Sequence, residues 1–335
     1  HLTKNLPPVL RIHGELFTLE GDSLTAEKIK ELIMGVLTTE QKEMLKLQQS
    51  VDLAYSLNGD EKSSRFRMNI FYQRGSLAVA IRKLSDEILS LEELGLPKVV
   101  SNLCELPDGL ILITGVTGSG KTTTLASMVD RINNNRSCHI ITIEDPVEYI
   151  HKHKKAIINQ REIHTDVPDF ASALRSALRE DPDVIMVGEM RDLETIRTAI
   201  MAAETGHLVF ATLHTQDAVS TIRRVIGVFS EEEQEQIRHQ LSMTLKAVVS
   251  QKLIRRKDKE GRVPAAEIMM VTPGIANLIR QHKDEQIYSV IETGAGQGMQ
   301  TKEYSLIALY QAGKIDREAV FKNTKDPKLM ERLLR

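Results

Sequence analysis

Residues 115–122 combine three glycines with Lys121 and Thr122 in the spacing G-x-x-x-x-G-K-[ST]. An apolar run at 110–113 precedes this segment and a helix-competent stretch at 123–129 follows it, which is the strand–turn–helix setting that the pattern requires. In such a turn, glycine lets successive backbone N–H groups converge on phosphate oxygens, and the following helix points its positive end at the anion. The segment therefore predicts a binding site for a nucleoside triphosphate rather than an ordinary glycine-rich turn.

Two side chains of this segment have separate predicted roles. Lys121 is expected to reach the β- and γ-phosphates, and the hydroxyl of Thr122 is expected to ligate Mg²⁺. Phosphate binding alone does not establish hydrolysis, which also needs a metal-side carboxylate, an activated water and neutralisation of charge. The predicted nucleotide-binding residues are Gly115, Thr117, Gly118, Ser119, Gly120, Lys121, Thr122 and Thr123.

A second predicted strand, at 184–187, leads into Gly188 and Glu189. A buried strand that ends in a carboxylate is typical of the acidic partner of a phosphate-binding loop. Because Gly188 stands where an aspartate is common, Glu189 alone is predicted to serve the metal, directly or through water. The alternative is that Glu189 only caps the helix that begins at Asp192, where the helix dipole favours negative charge.

Three carboxylates follow a third predicted strand at 139–143, namely Glu144, Asp145 and Glu148. Beside a phosphate site they would repel one another unless Mg²⁺ or a proton intervened. One of them is therefore predicted to act as general base for the attacking water. Their positions alone do not distinguish the three, and a solvated acidic turn is the alternative.

His207 and His214 bracket a fourth predicted strand at 208–213. At the carboxyl end of that strand, His214 could donate a hydrogen bond to a γ-phosphate or relay its loss. A structural role is the alternative for both histidines.

Arginines recur along the chain, and an ATPase with few catalytic donors of its own can borrow a guanidinium. Most arginines are solvated, so position alone selects none of them, although the first domain is the expected source of a borrowed one. The candidates are Arg65, Arg67, Arg74 and Arg82 in the first domain and Arg175, Arg179, Arg191 and Arg197 in the second.

The composition is that of a globular protein with room for two domains, since the chain has 335 residues of which 41% are hydrophobic and 27% charged. No apolar run approaches the roughly 20 residues that cross a bilayer, and no signal peptide is visible. A net charge of −2 and an aromatic content of 4% argue against a nucleic-acid partner. The two cysteines form no C-x-x-C pair, which favours a reducing cytoplasm. The chain begins at His1, and we expect native residues to precede it.

Residues 1–94 are predicted to form a small α+β domain, followed by a linker at 95–109 that contains a short helix. Alternation and cap patterns predict a hairpin about His13-Gly14, helices that begin at Thr25 and Thr39, strands at 51–55, 64–71 and 76–82, and a turn at 58–60.

Residues 110–335 are predicted to form an α/β domain, because short buried strands alternate there with helices in the manner of a parallel sheet. Asp169 and Asp192 are predicted helix caps. Ser230 and Glu233 predict a capping box for a long helix that continues to about residue 249. From Pro273 onward the chain reads as a cluster of short helices.

These motifs resemble those of the secretion-type ATPases that power type IV pili and type II secretion, over most of the chain from Leu6 to about Gly313. The chain has no tetracysteine zinc insertion, which favours the retraction branch of that family. Residues 274–280 resemble a segment linked to retraction, from which Gly274, Ala276 and Gln281 depart. The matching segments are 115–122 for the Walker A motif, 143–148 for the Asp box, 184–189 for the atypical Walker B motif and 205–215 for the His box.

The resemblance implies a RecA-like P-loop ATPase core, an N-terminal PAS-like α+β domain and C-terminal helices, with ATP and Mg²⁺ as cofactors. It implies that Glu148 is the catalytic base, that Arg67 and Arg82 are arginine fingers, and that Glu189 and His214 complete the catalytic set. Thr122 and Glu189 are the expected metal ligands.

The resemblance also implies a homohexameric motor for pilus retraction and twitching motility. Such a motor would act in the cytoplasm at the inner face of the cytoplasmic membrane, which it would touch only through the platform protein and the pilus assembly machinery. The alternatives are a nucleotide-dependent switch that hydrolyses slowly and a nucleic-acid translocase, which the balanced charge and scarce aromatics disfavour.

Overall fold

The computed structural model describes residues 1–12, 15–57, 64–84 and 87–334. The chain divides into two compact units. The first unit comprises His1–Glu87 together with Pro146–Ile150, and the second comprises Ile88–Asp145 and His151–Arg335.

The first unit is an α+β structure whose main sheet has three antiparallel strands in the order β3-β4-β5. One face of this sheet buries Val51, Ile70 and Val79 against two helices that contribute Ile29 and Leu45. A separate two-stranded ladder precedes the helices, as predicted, while the predicted turns at 13–14 and 58–60 lie outside the described residues. The elements are β1 (Val9–Ile12), β2 (Glu15–Thr18), α1 (Ala26–Val36), α2 (Thr39–Gln48), β3 (Ser50–Leu57), β4 (Ser64–Gln73) and β5 (Ser76–Lys83).

The caps of these two helices follow from short polar side chains. Thr25 caps α1, as predicted, by accepting a hydrogen bond from the Lys28 N–H. The predicted cap of α2 is wrong by one residue, because Thr38 and Gln41 form a reciprocal capping box and Thr39 is already helical.

The second unit contains a seven-stranded sheet in the order β12-β11-β6-β10-β9-β7-β8. Every neighbouring pair is parallel except β11 and β12, so the predicted α/β fold is confirmed. The strands are β6 (Gly109–Thr114), β7 (His139–Glu144), β8 (Ile157–Glu162), β9 (Val184–Val187), β10 (Leu208–Leu213), β11 (Leu245–Arg255) and β12 (Arg262–Met270).

Both faces of this sheet are covered, because alternate residues of its central strands enter two different cores. Leu110 and Leu112 of β6 enter one core and Ile111 and Ile113 enter the other. Burial on both faces explains the continuous apolar runs of these strands. The helices are α3 (Leu91–Leu94), α4 (Lys98–Leu103), α5 (Lys121–Asn135), α6 (Phe170–Ala177), α7 (Leu193–Glu204), α8 (Ala218–Ile226), α9 (Glu231–Thr244), α10 (Pro273–Arg280), α11 (Ile287–Thr293), α12 (Lys302–Gln311), α13 (Arg317–Asn323) and α14 (Pro327–Leu333).

The sequence reading missed β8, β11 and β12. The predicted helix from Ser230 ends at Thr244, and the residues that follow it form β11. A short apolar run such as 247–249 fits a buried helix or a buried strand equally well. The predicted capping box is also not formed, because the Ser230 hydroxyl donates to the Glu233 carboxylate instead of accepting from a backbone N–H.

The predicted linker at 95–109 belongs to the core of the second unit. Leu96, Val100 and Leu103 are buried in the same core as Ile111 and Val129. The compact second unit accordingly begins at Ile88, whereas the predicted boundary lies at residue 94. The apolar residues of α4 account for the difference, since a helix that buries one face adds to a core rather than joining two of them.

Short helices follow β12 to the end of the described chain, as predicted, and Leu306, Val320 and Met330 form a small core with Ile254 and Val263. Among the residues that the structure describes, no helix is long and apolar enough to cross a membrane.

Phe210→Ala is expected to lower the free energy of unfolding by about 3–5 kcal/mol, because Phe210 lies fully buried in the centre of the sheet and its removal leaves a cavity. Chemical denaturation followed by circular dichroism measures the change. Ile157→Ala on β8 is the control, because Ile157 is 60% exposed and its loss should cost only about 0.5 kcal/mol. Equal losses for the two variants would contradict the described core.

Candidate nucleotide-binding site

Three of the predicted segments meet at the carboxyl edge of the parallel sheet. Thr114, at the end of β6, lies in register with Leu213, at the end of β10. The Gly115 N–H donates to the Leu213 carbonyl at 3.3 Å, and the Met190 N–H donates to the Thr212 carbonyl at 3.1 Å. The loop after β6 therefore begins beside the ends of β10 and β9, at the edge where open α/β sheets bind ligands.

The glycines of this loop occupy backbone conformations that other residues avoid. Gly115, Gly118 and Gly120 have φ values of 145°, 77° and 90°. A Cβ atom on Gly115 would lie 2.4 Å from the Gln251 carbonyl oxygen, so the position admits no side chain. Gly120 is the N-cap of α5 and offers no side chain to cap the helix, which leaves the first N–H groups of α5 for an anion.

Lys121 is the first residue of α5, and its side chain turns back over the loop. Its Nζ donates to the Gly115 carbonyl at 2.8 Å and lies 3.4 Å from the Val116 carbonyl. Burial lowers the pKa of Lys121, and attraction to Glu189 opposes that shift. An ammonium group held above a glycine-rich loop by two backbone carbonyls is placed where phosphate oxygens could replace those carbonyls.

The residues at the loop also suit a magnesium ion that is completed by phosphate oxygens. Thr122 lies half-buried in the first turn of α5, and Glu189 is a partly exposed carboxylate. In the described part of the chain, no group of three or more His, Cys, Asp or Glu residues could hold a metal ion by itself. Mg²⁺ is commonly bound through one or two protein oxygens plus substrate phosphates, so this donor set fits it.

Gln251 is a site residue that the sequence reading missed. It is 3% exposed on β11, its Nε2 donates to the Ser119 carbonyl at 2.9 Å, and its Oε1 accepts from the Thr124 hydroxyl at 3.1 Å. The Gln251 amide therefore links the loop and α5 to β11 through hydrogen bonds. No local signal identifies Gln251, because its partners Ser119 and Thr124 lie more than 120 residues away in the sequence.

Glu189 contacts two side chains, those of His214 and Arg191, at this edge of the sheet. The His214 Nε2 lies 2.7 Å from its Oε1, and Arg191 reaches both carboxylate oxygens at 2.7 Å. Burial raises the pKa of Glu189, but the hydrogen bond from Arg191 and the charges of His214 and Arg191 lower it by more. Asp192 itself caps α7 by accepting from the Thr195 N–H, so Glu189 is not needed as that cap.

Gly188 has a structural reason for replacing the usual aspartate. Its N–H donates to the Ile143 carbonyl at 2.8 Å, and an added Cβ would lie 3.1 Å from that same oxygen. The close approach of β9 to β7 at this point leaves little room for a side chain.

The three carboxylates after β7 have different surroundings. Glu144 is buried and accepts hydrogen bonds from the Thr142 hydroxyl and the Gln160 amide at 2.7 and 3.2 Å. Asp145 is exposed, and Glu148 is partly exposed within the segment that groups with the first unit. Glu144 is thus engaged in structure, while the assignment of Glu148 as base stays a prediction.

The two histidines also differ. The His207 Nδ1 lies 2.9 Å from the Ala202 carbonyl and 3.2 Å from the Thr205 hydroxyl, so His207 closes the end of α7 and has a structural role. His214 contacts Glu189 and is 46% exposed, which leaves it open to a ligand.

Arg67 and Arg82 lie directly opposite each other on β4 and β5 in the first unit. Opposed residues of an antiparallel pair share a face, and this face is the one turned away from the helices. Asp52 approaches the Arg67 guanidinium at 3.9 Å. The structure therefore brings the two predicted arginine fingers side by side, where like charges repel.

A phosphate-binding loop on a central parallel strand, with a carboxylate on a nearby strand, defines a P-loop nucleotide-binding protein. Residues 10–326 match the family described as type II/IV secretion system protein. The chain belongs to this family.

Individual relatives are similar over nearly their whole length. The chain is 46% identical to PilT of Pseudomonas aeruginosa, a type IV pilus retraction ATPase, over 98% of this chain and 94% of that protein. It is 44% identical to a twitching motility protein of Neisseria gonorrhoeae, over 96% of this chain and 86% of that protein. A crystal structure of the pilus retraction motor PilT with bound ADP matches with a TM-score of 0.91 and 48% identity, over 99% of this chain and 94% of that chain.

Gly115→Ala is expected to weaken ADP binding by ~10-fold or more, about 1.4 kcal/mol, because the new methyl group would displace the Gln251 carbonyl and the loop with it. Calorimetric titration with ADP measures the effect. Gly274→Ala is the matched control, since Gly274 has ordinary backbone angles and a new methyl group there would make only an ordinary contact. Undiminished binding by the Gly115 variant would contradict the described loop.

Proposed function

We propose that this chain is an Mg²⁺-dependent ATPase motor that drives retraction of type IV pili. The observation that carries the proposal is the contact of Glu189 with His214 and Arg191 at the sheet edge where the P-loop begins. The names of the two relatives, a pilus retraction ATPase and a twitching motility protein, support the choice of pilus retraction.

The chemistry assigned to the second unit is binding, orientation and charge neutralisation. The loop N–H groups and Lys121 hold the β- and γ-phosphates, and the Gln251 amide keeps the loop in place. Thr122 and Glu189 would hold Mg²⁺, which when bound neutralises charge on the phosphate oxygens. His214 contacts Glu189 and directly follows Leu213, whose carbonyl accepts from the Gly115 N–H, so it is placed to respond when the γ-phosphate leaves.

The remaining roles are assigned to residues of the first unit. Glu148 accepts the proton of the attacking water as general base, and Arg67 and Arg82 neutralise charge that develops on the transferred phosphoryl group. Two guanidinium groups side by side on an exposed sheet face suit an anion supplied from outside that face.

We propose that the working assembly is a homohexamer in which one chain supplies arginines to the site of another. This motor acts in the cytoplasm at the inner face of the cytoplasmic membrane, which it meets only through the inner-membrane platform protein and the pilus assembly machinery. It has no nucleic-acid partner. Its two domains are the N-terminal α+β domain and the RecA-like ATPase domain with the C-terminal helices.

Glu189→Gln and Glu148→Gln are each expected to lower kcat for Mg-ATP by about 10²-fold or more, because they remove the metal-side carboxylate and the base. Nucleotide binding should remain, since the P-loop is unchanged. Steady-state phosphate release and ADP titration measure the two properties, with Glu231→Gln on the exposed start of α9 as the control.

Wild-type hydrolysis in both carboxylate variants would exclude these assignments. Wild-type turnover that stays below one event in many minutes, even with the pilus platform present, would favour a nucleotide-dependent switch. Stimulation by nucleic acid that is suppressed by salt would favour a translocase.

Arg67→Ala and Arg82→Ala are each expected to lower kcat by ~10³-fold, because a guanidinium is lost from the transition state. Lys83→Ala is the control, since Lys83 neighbours Arg82 on β5 but points to the opposite face of the sheet. Turnover is measured against protein concentration, with the mass of the assembly determined in parallel.

Mixing Arg67→Ala chains with Glu189→Gln chains separates the two possible origins of the arginine. If the arginine comes from another chain, some mixed sites contain both intact residues and activity partly returns. If the arginine acts within its own chain, no mixed site is complete and the mixture stays inactive. That outcome would contradict the proposal that one chain of the hexamer supplies arginines to the site of another.

A further inference from the structure

Residues 214–218, which we call the sensor segment, run from His214, just after β10, to the first residue of α8. The Lys302 Nζ donates to the Gln216 carbonyl at 2.8 Å. The Lys325 Nζ lies 2.6 Å from the Asp217 carboxylate, and the Glu267 carboxylate accepts from the Ala218 N–H at 2.8 Å. Three consecutive residues of the sensor segment are thus each held by a charged side chain from β12 or the C-terminal part of the chain.

Two of these three charges are buried. Glu267 is 4% exposed and Lys302 is 9% exposed. Burial raises the pKa of Glu267, and the Ala218 N–H and the Lys302 charge oppose that shift; burial lowers the pKa of Lys302, and the Glu267 charge opposes it. A buried charge is tolerated only where it is compensated. The opposite charges of Glu267 and Lys302 therefore each stabilise the charged form of the other.

The third contact is weaker, because the Lys325 side chain is 64% exposed and an exposed ion pair contributes little. The backbone of Lys325 is nevertheless anchored, because the buried Glu303 carboxylate accepts a hydrogen bond from the Lys325 N–H at 3.2 Å. The same carboxylate accepts from the Tyr288 hydroxyl at 3.3 Å. Glu303 follows Lys302 in α12, so α12 makes one of the three contacts directly and anchors the backbone of Lys325, which makes another.

Further hydrogen bonds to α8 restrain the sensor segment. The Thr215 hydroxyl pairs with the Thr221 hydroxyl at 2.7 Å, and Asp217 caps α8 through the Ser220 N–H. The carbonyl that Lys302 holds lies only two residues from His214. A displacement of that carbonyl therefore changes where the imidazole meets Glu189.

We propose that Lys302 and Glu267 are positioning residues for ATP hydrolysis, which hold the sensor segment so that His214 contacts Glu189. The inference rests on the proposed ATPase function. Helix α12 thereby acquires a role in coupling. When His214 shifts with the state of the nucleotide, the movement reaches α12 through the bond between the Gln216 carbonyl and Lys302. A shift of α12 reaches the site by the same route.

Lys302→Met is expected to lower kcat for Mg-ATP by about 10–100-fold, because a small misplacement of a reacting group has an effect of this size. The Kd for ADP should stay within about twofold, or ~0.4 kcal/mol, since the P-loop is untouched. Lys302→Arg, which keeps a cationic donor, should restore most of the rate. Lys328→Met, at an exposed lysine of α14, is the matched control and should turn over like the wild type.

Coupling to His214 distinguishes positioning from general destabilisation. In a His214→Ala background, Lys302→Met should slow turnover no further, because the residue through which it acts is already missing. Independent effects that multiply would overturn the inference. Should Lys302→Met fail to fold, Lys302→Met with Glu267→Gln removes both buried charges and keeps an oxygen for the Ala218 N–H, and the same test applies to it.

The outcomes separate this inference from the function on which it rests. A wild-type chain that never hydrolyses Mg-ATP would overturn the proposed ATPase function and the inference with it. A wild-type chain that hydrolyses Mg-ATP, together with an unimpaired Lys302 variant, would overturn the inference alone.

Discussion

The parallel pairing of β6 with its two neighbours is the constraint on which the site depends. Register with β10 places Gly115 beside Leu213, and register with β11 places Ser250 opposite Thr114, where their hydroxyl groups bond at 2.6 Å. A shift of either pairing would move the loop away from His214 or from Gln251. The burial of β6 on both faces resists such a shift, because it would require two cores to repack at once.

Much of the fold could be predicted from local patterns, and the failures have physical causes. The strands at 110–114, 184–187 and 208–213 are apolar runs bounded by polar turns, and they formed where expected. β11 was missed because its apolar run follows a helix without a break, so nothing local marks the change. Its neighbour β12 was missed with it, although the two strands pair with each other.

The site shows the same division between local and distant information. The P-loop could be recognised because its glycines, lysine and threonine lie within eight residues of one another. The roles of Gln251 and Arg191 could not, because an amide and a guanidinium acquire meaning only from the groups that they meet. Gly188 is intermediate: its departure from the usual pattern was visible, but the reason lies in the neighbouring Ile143 carbonyl.

The proposed role of the opposed arginines Arg67 and Arg82 has a consequence for the kind of anion that their face would favour. Two like charges at directly opposed positions repel each other, and the Asp52 carboxylate near the Arg67 guanidinium offsets part of that repulsion. An anion placed between the two arginines would offset the remaining repulsion, and the gain would grow with the charge of the anion. In the proposed role, this face would therefore favour a multiply charged phosphate over a singly charged carboxylate of similar size.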